Sequence, residues 1–287
     1  MYHTSHGSML LNDILITNNG GRWDYIEIGD IAGASGFPIV IVPHNGTVVI
    51  GADGVSYFRM GIRDSNYVRH VKVHGLHYRD KSTSASPYGF HFDRKGMSAV
   101  ADRAIYGFVT NLFSDVEING YAVRNAGVAF FAKVNSSENP YKQFKYMRHK
   151  GITIHDVYIE DIEGEGFYVG NTATNGVQSG NTGGPTVRGD SAKIYRAVVN
   201  GTGWDGVQLA NWGYGNQIHD IALYRTGNRN QSSQQWALLM GGNCQGDVWN
   251  IASYNSTGGI STLGQGKVRM YNLLVYRDWE KIGRAHV

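Results

Sequence analysis

The stretches EGFYVG at Glu165–Gly170 and DGVQLA at Asp205–Ala210 decide the fold of this chain. In each, glycine follows an acid and opens a short run of largely apolar residues. Further copies are WALLMG at Trp236–Gly241, GGISTL at Gly258–Leu263, AGVAFF at Ala126–Phe131 and YGFHFD at Tyr88–Asp93. Self-similarity of this kind predicts stacked structural repeats, in which equivalent residues of neighbouring repeats lie side by side.

A second repeated pattern precedes each of these runs. ITIHDVYI at Ile152–Ile159 alternates apolar and polar residues with period two, and it aligns without gaps with 192–199 and 216–223. Further copies run over 248–253 and 270–275, and weaker ones over 116–123 and 71–76. Short strands, glycine at corners and almost no helical periodicity predict an all-β fold. The specific prediction is a right-handed parallel β-helix solenoid with three short strands per coil.

The spacing of the glycine-led strands separates coil from insertion. From Ala237 to Gly259 is 22 residues, a bare coil, and from Gly206 to Ala237 is 31, whereas the three earlier intervals are 38, 39 and 40 residues. The excess predicts loops at 94–110, 133–150 and 171–190 that all leave one corner, and a shorter one at 226–234 that leaves another. Loops of variable length on a rigid scaffold are where binding sites usually lie.

Domain organisation follows from the same repeat. Residues 1–281 are interpreted as a single β-helix domain, which we expect to be a fragment of a longer protein. Residues 282–287 (IGRAHV) are interpreted as a non-native tail, because they back-translate to a sequence that resembles a sequencing adapter; a genuine short tail is the alternative. The first residues lack the basic and apolar regions of a signal peptide.

Composition excludes several classes of function. The net charge of +3 comes without a stripe of Lys and Arg, which argues against nucleic-acid binding. The single cysteine, Cys244, excludes an internal disulfide framework and a cysteine-based zinc site. No apolar run is long enough to predict a membrane span. Gly 39 of 287 residues is about twice the usual share, as expected for a chain with many tight turns.

Three stretches carry a family resemblance: GEGFYVGN at 164–171, TGWDGVQ at 202–208 and HDVYI at 155–159. They resemble secreted bacterial proteins of the right-handed parallel β-helix repeat group, within the pectate-lyase-like superfamily, from about Trp23 to Trp279. The resemblance implies an extracellular or cell-surface location and a carbohydrate-related function. The group includes lyases, hydrolases, epimerases and non-catalytic adhesins, so it does not select an activity. The Asn-Thr-Asp, Asp-Asp, Gly-His-Gly and Arg-Ile-Lys motifs of its best-known pectin hydrolases are absent, which disfavours a polygalacturonase.

The gapless alignment places Glu165 beside Asp205 on adjacent coils, with Glu163 two positions upstream, and these three are the candidate catalytic residues. Carboxyl groups about 5 Å apart suit a retaining glycosidase. A Ca²⁺ ion shared by Glu165 and Asp205 would instead suit a lyase, since it neutralises a uronate carboxylate before a base removes the neighbouring proton. The alternative is that both acids cap backbone N–H groups at a corner.

Candidate substrate-binding residues lie on or near the same face. Flat rings that could stack on sugars are Tyr168, Trp204 and Trp212, and Gln208 lies in the same column as Tyr168. The basic loop at 133–150 supplies Lys142, Lys145 and Arg148, which could attract an acidic polysaccharide or act as the base of an elimination. Corner packing for the rings and a solvated loop for the cations are the alternatives.

Two further columns are interpreted as structural. One is formed by His155, Tyr195, His219, Trp249 and Tyr271, and the next by Asp156, Arg196 and Asp220.

Two functional hypotheses follow for the chain as a whole. The first is an extracellular lyase or glycoside hydrolase acting on an acidic polysaccharide, and the second is a non-catalytic polysaccharide-binding or adhesin-type β-helix.

Overall fold

The computed structural model describes residues 13–18, 20–28, 31–51, 56–60, 67–75, 88–94, 106–110, 112–133, 148–172, 187–264 and 266–277. Within these residues the secondary structure is all β. The first strands are β1 Asp13–Thr17, β2 Arg22–Trp23, β3 Ile26–Ile28, β4 Ile39–His44, β5 Val48–Ile50, β6 Tyr57–Met60, β7 Tyr67–His74, β8 Phe90–Asp93, β9 Tyr106–Thr110 and β10 Leu112–Arg124. They are followed by β11 Val128–Ala132, β12 Arg148–Ile162, β13 Phe167–Gly170, β14 Arg188–Thr202, β15 Val207–Ala210, β16 Asn216–Tyr224, β17 Leu238–Met240, β18 Gln245–Tyr254, β19 Ile260–Thr262 and β20 Lys267–Tyr276.

The strands form two sheets whose neighbours are successive coils of the chain. The long strands pair in the order β1-β4-β7-β10-β12-β14-β16-β18-β20, and β2, β5 and β8 join the same sheet. The short strands pair in the order β19-β17-β15-β13-β11-β9-β6-β3. The ladders are parallel, as a chain that winds in one direction requires. The protein is therefore a parallel β-helix solenoid, which confirms the fold predicted from the repeat.

The long strands bend at residues in the left-handed backbone region. One column of bends consists of Gly120, Asp156, Arg196, Asp220, Asn250 and Asn272, with φ between 48° and 63°. A second consists of Asn125, Asp161, Gly201, Arg225 and Asn255. Each bend divides a long strand into segments of about four residues, such as 216–219 and 221–224. With a short strand such as β17, these make the predicted three segments per coil.

Apolar columns fill the interior along the solenoid axis. The register stacks Ile118, Ile154, Ile194, Ile218 and Val248 in consecutive coils, and all five are buried. Aromatic residues fill the earlier coils, where Phe130 stacks on Phe167 with ring centroids 5.3 Å apart. Burial of this kind is the main favourable term for folding. In the described part of the chain no helix is long and apolar enough to span a membrane.

Two details of the predicted alignment are wrong. Gly127 was expected opposite Gly166, but Phe130 pairs with Phe167 and Gly164 N–H donates to Gly127 O at 2.7 Å. The shift is two residues, which keeps the same side chains inward and so leaves the hydrophobic pattern unchanged. Residues 88–93 were expected to form a short-strand copy, but β8 pairs with β5 and β10 in the other sheet.

The predicted loops are partly reassigned in consequence. In the coil that contains β7 and β8, the short strand is β9. Residues 106–110 are therefore a strand and not part of the loop predicted at 94–110. The segments between β11 and β12 and between β13 and β14 do follow a short strand and leave the same corner. Most of their residues lie outside the described ranges. The shorter connection before β17 leaves a different corner, as predicted, and all of its residues are described.

Candidate functional site

Glu165 and Asp205 lie next to each other on adjacent coils, as the alignment predicted. The register of β13 and β15 pairs Phe167 with Val207, and Gly166 N–H donates to Asp205 O at 3.1 Å. Both acids precede a glycine whose missing side chain lets the coils approach, since a Cβ at Gly166 would lie 2.5 Å from Gly206 O. Both acidic side chains are 0% exposed. In this conformation neither faces an open groove.

The contact of Asp205 matches the capping alternative, whereas the contact given for Glu165 is with a side-chain amide. Asp205 Oδ1 accepts a hydrogen bond from Trp236 N–H at 2.8 Å, and Glu165 Oε1 accepts one from Gln234 Nε2 at 3.3 Å. Burial raises the pKa of Asp205 from 3.8 to about 7, and the Trp236 N–H opposes part of that rise. A catalytic role for this pair, and a Ca²⁺ ion shared between them, stay predictions. Among the described residues, no group of three or more His, Cys, Asp or Glu side chains is arranged to hold a metal ion.

A connection between β16 and β17 covers this corner, and we call Thr226–Trp236 the corner strap. Its Gly227, Asn228 and Arg229 N–H groups donate to the carbonyls of Trp204, Thr202 and Gly203 one coil earlier. Arg229 also pairs with Glu163 at 2.7 Å. Glu163, the third candidate catalytic residue, is therefore held in an ion pair. Trp204 is buried beneath the corner strap.

Trp212 is a core residue in this structure. It is fully buried and lies parallel to Phe113 and His149, with ring centroids 6.0 Å away in each case. A Cβ at Gly189 would meet the indole ring at 2.5 Å, so this glycine makes room for the ring. Neither face of the Trp212 ring is accessible to a sugar in this structure. The corner-packing alternative therefore applies to Trp212.

The predicted basic loop is only partly described. Lys142 and Lys145 lie outside the described residues. Arg148 begins β12 with a mostly exposed side chain and faces Asp190 at 3.6 Å. An exposed ion pair of this kind contributes little to stability.

Tyr168 and Gln208 are brought together on the outward face of the short-strand sheet, where β13 and β15 pair them directly. Lys133, directly after β11, donates from Nζ to the Tyr168 hydroxyl at 2.6 Å, and its Nζ lies 4.1 Å from the centroid of the Tyr168 ring. Lys133 is 8% exposed and Gln208 is 1% exposed. We call Lys133, Tyr168 and Gln208 the donor face.

The donor face contains one unpaired hydrogen-bond donor and, among the described residues, one buried ammonium group without an anionic partner. Gln208 Nε2 is buried and has no hydrogen-bond partner. Within the described residues, Lys133 Nζ has the neutral Tyr168 hydroxyl as its partner, and no carboxylate contacts it. A buried ammonium group normally has an anionic partner, since burial without one is costly. This arrangement is suited to an anionic ligand. Lys133 was recognised in the sequence only as part of a basic loop, because its position depends on the corrected register of β11.

The two structural columns on the long-strand sheet are confirmed. His155, Tyr195, His219, Trp249 and Tyr271 stack with ring centroids 4.1 to 5.8 Å apart and planes within 9° of parallel. Arg196 donates to both carboxylate oxygens of Asp156. These contacts fix the outer surface of the coils.

Sequence reasoning missed a charged network at the start of this column. Glu117 accepts hydrogen bonds from His74 at 2.9 Å and from His155 at 3.4 Å, and it pairs with Lys72 at 3.0 Å. The hydrogen bonds from His155, His74 and Lys72 hold the pKa of Glu117 far below its usual value despite partial burial. The only sequence signal was the weak β7 copy, since His74 and Glu117 are 43 residues apart. All of these groups satisfy one another, which indicates a stabilising role.

Comparisons with known proteins add little to these observations. No protein-family model matches the chain, and no curated protein matches it. Among solved structures, the chain is similar to an alginate lyase from Paenibacillus sp. str. FPU-7, with 14% sequence identity and a TM-score of 0.44 over 92% of this chain and 91% of that chain. A similarity at this level defines no activity, so the function has to be argued from the residues of the chain itself.

Proposed function

We propose that this protein is an extracellular carbohydrate-active β-helix that binds an acidic polysaccharide on the donor face and cleaves it by β-elimination. The observation that carries the proposal is the buried Lys133 ammonium with a neutral phenol as its partner, next to the unpaired Nε2 of Gln208. A uronate carboxylate supplies what both groups lack, because it is a planar anion with several acceptor positions.

The chemistry of elimination suits this set of groups. A base takes the proton from the carbon beside the carboxyl group, and that electron pair becomes the new carbon–carbon double bond. The glycosidic oxygen leaves with its bonding pair and receives a proton. A cation at the carboxylate stabilises the negative charge that develops. In this proposal Lys133 supplies that cation. Tyr168, after its hydroxyl proton has passed to solvent, is the base that takes the carbon-bound proton, and it then returns this proton to the leaving glycosidic oxygen.

Binding without cleavage is the second candidate, and one observation favours it. Tyr168 contacts Lys133 and Phe131, and in the described part of the chain no carboxylate or imidazole is positioned to assist proton transfer from it. The two candidates predict the same ligand and differ in the product. Incubation with a panel of polyuronates separates them. Elimination raises ultraviolet absorbance through unsaturated ends, hydrolysis raises reducing ends alone, and pure binding changes neither.

A Lys133→Met substitution tests the donor face itself. We expect affinity for the acidic polysaccharide to fall roughly thirtyfold or more, since a desolvated charge partner is lost. We expect the melting temperature to stay the same or rise, because the variant no longer buries an ammonium group without a carboxylate. Lys193→Met, which removes an exposed lysine on the other sheet, is the matched control and should change neither quantity. An unchanged affinity in Lys133→Met would refute the assigned site.

A further inference from the structure

Four aromatic residues lie beside the donor face, one in each of the four coils before that of Tyr168. They are Phe131 in β11, Tyr106 in β9, Tyr57 in β6 and Tyr25 directly before β3, and we call them the aromatic strip. The short-strand sheet pairs these strands in that order, from β13 to β3. Phe131 joins the strip to the donor face, because its ring meets that of Tyr168 edge-on with centroids 5.6 Å apart.

The rings of the strip form a continuous series outside the core. The ring centroids of Tyr106 and Phe131 are 4.8 Å apart, and Tyr57 pairs with Tyr106 in the register of β6 and β9. The ring centroids of Tyr25 and Tyr57 are 5.4 Å apart. Tyr25 is 52% exposed, and the other three side chains are partly exposed. The core of these coils is filled by other rings, which are buried: Phe58, Phe108 and Phe130. The strip therefore presents aromatic surface to a ligand.

The coils on the other side of the donor face differ. The column that contains Tyr168 continues there through Gln208, Leu239 and Ser261 in the next three coils. Gln208 and Leu239 are buried, and these three positions offer a sugar no ring to stack on. A ligand held at Lys133 therefore gains aromatic contacts by extending toward the first coils.

Arg59 adds a second cation to the strip. Its strand, β6, lies two coils before β11, which precedes Lys133, and its guanidinium lies 4.4 Å above the centroid of the Tyr57 ring. Among the described residues its ion-pair partner is Glu27, which Nη1 contacts at 3.4 Å, and its buried Nε has no hydrogen-bond partner. This guanidinium therefore keeps donors for a further carboxylate. Lys133 and Arg59 together provide charge complementarity for an anionic chain that lies along the strip.

We propose that the aromatic strip is an extended binding track for the acidic polysaccharide, which runs parallel to the solenoid axis from the donor face toward the first coils. Successive coils are about 4.8 Å apart, which is close to the length of one sugar unit in an extended chain. Each coil of the strip therefore meets one sugar unit through a flat ring. This inference rests on the proposed function for its ligand, and it adds the direction in which the chain lies and the length that is bound.

Affinities for short and long ligands test the track. Disaccharides and hexasaccharides of galacturonate, mannuronate and guluronate are titrated into the protein by calorimetry, and kcat/KM replaces the affinity for any ligand that is cleaved. We expect Tyr106→Ala to weaken binding of the hexasaccharide roughly threefold to tenfold, because one ring contact is lost. Binding of the disaccharide, which reaches only the donor face and Phe131, should change by less than about twofold. Tyr224→Ala removes a partly exposed tyrosine from the outer face of the long-strand sheet and is the matched control, which should change neither value.

Tyr25→Ala is the second variant, because Tyr25 is half exposed and its loss disturbs the fold little. It should weaken binding of the hexasaccharide alone. An unchanged hexasaccharide affinity in both strip variants, while Lys133→Met still weakens binding, would overturn the track and leave the donor face in place. Equal losses for the disaccharide and the hexasaccharide in Tyr106→Ala would also overturn it, since they would place the damage at the donor face. If no hexasaccharide binds the unsubstituted protein, the track and the proposed function are both wrong.

Discussion

At the scale of single residues, the buried carboxyl group of Asp205 makes the stability of the fold depend on pH. Its side chain is 0% exposed, and burial raises its pKa from 3.8 to about 7. A raised pKa means that the folded state holds this proton more tightly than the unfolded chain does. The stabilising contribution is therefore complete below about pH 4 and is lost as the pH rises through about 7. Over that range it amounts to at most about 4 kcal/mol.

We predict that Asp205→Asn removes much of this pH dependence. The melting temperature of the unsubstituted protein should fall between pH 4 and pH 7 by roughly 10 °C more than that of the variant. Asp220→Asn is the control, because hydrogen bonds from Asn250 and His219 lower the pKa of that exposed carboxyl. The melting temperature of Asp220→Asn should therefore fall between pH 4 and pH 7 as it does in the unsubstituted protein. Parallel melting curves for Asp205→Asn and the unsubstituted protein would show that Asp205 does not titrate as the structure indicates.

The candidate residues also show what the sequence can predict at this scale. The gapless 40-residue interval correctly placed Glu165 beside Asp205 and Tyr168 beside Gln208. The alternation of apolar and polar residues does not show whether an acid faces a groove or is covered at a corner. For Glu165 the covering residue is Gln234, which lies 69 residues further along the chain. Lys133 was missed as a partner of Tyr168 for a similar reason. A two-residue shift of β11 preserves the hydrophobic pattern and yet changes every neighbour.

At the scale of elements, the ring column on the long-strand sheet joins successive coils. Tyr195 lies between His155 and His219, with centroid distances of 4.7 and 4.9 Å and planes within 3° of parallel. Contacts of this kind contribute about 0.5–1.5 kcal/mol each beyond buried area. The bends beside this column were harder to predict. Asn250 and Asp156 are ordinary residues for a positive φ, but Arg196 and Arg225 adopt it only because the neighbouring coils impose the corner.

We predict that Tyr195→Ala lowers the free energy of unfolding by about 1–3 kcal/mol, since two ring contacts are lost. Tyr195→Phe keeps both contacts and should lie within about 0.5 kcal/mol of the unsubstituted protein. Urea unfolding followed by far-ultraviolet circular dichroism measures both variants. Equal losses for alanine and phenylalanine would assign the stabilisation to the tyrosine hydroxyl and not to the stack.

At the scale of the whole molecule, the sequence predicts the later coils well and the earlier coils poorly. From β12 onward, equivalent residues recur at intervals of 22 to 40, and the observed registers follow them. Before β10 the strands are shorter, and β8 belongs to the long-strand sheet despite its glycine-led sequence. A motif specifies a strand, whereas sheet membership depends on where the connections turn. That information is distributed over contacts between coils.

The last described coil exposes a run of apolar side chains along β20. Leu273 and Val275 of β20 pair with the buried Ile251 and Ser253 of β18, yet they are 37% and 52% exposed, and the outward-facing Leu274 is 52% exposed. In the described part of the chain no strand pairs with the far edge of β20. Residues 270–276 of this edge carry no charge, although natural edge strands are usually protected by charges, bulges or covers. Within the described residues this edge lacks such protection, which favours pairing with another strand.

We predict that the protein self-associates through this edge as its concentration rises, and that Leu273→Lys suppresses the association. Leu273 points inward like its partner Ile251, so a lysine at this position would have its charge buried when a second chain pairs with the edge. Sedimentation velocity across a concentration series measures the effect. Asn228→Lys adds the same charge on the exposed corner strap and should leave the association intact. Two results would show that the edge of β20 is not the contact: a protein that stays monomeric at every concentration, or equal suppression of the association by both lysines. Only a charge on β20 itself can interrupt a ladder that forms along this strand.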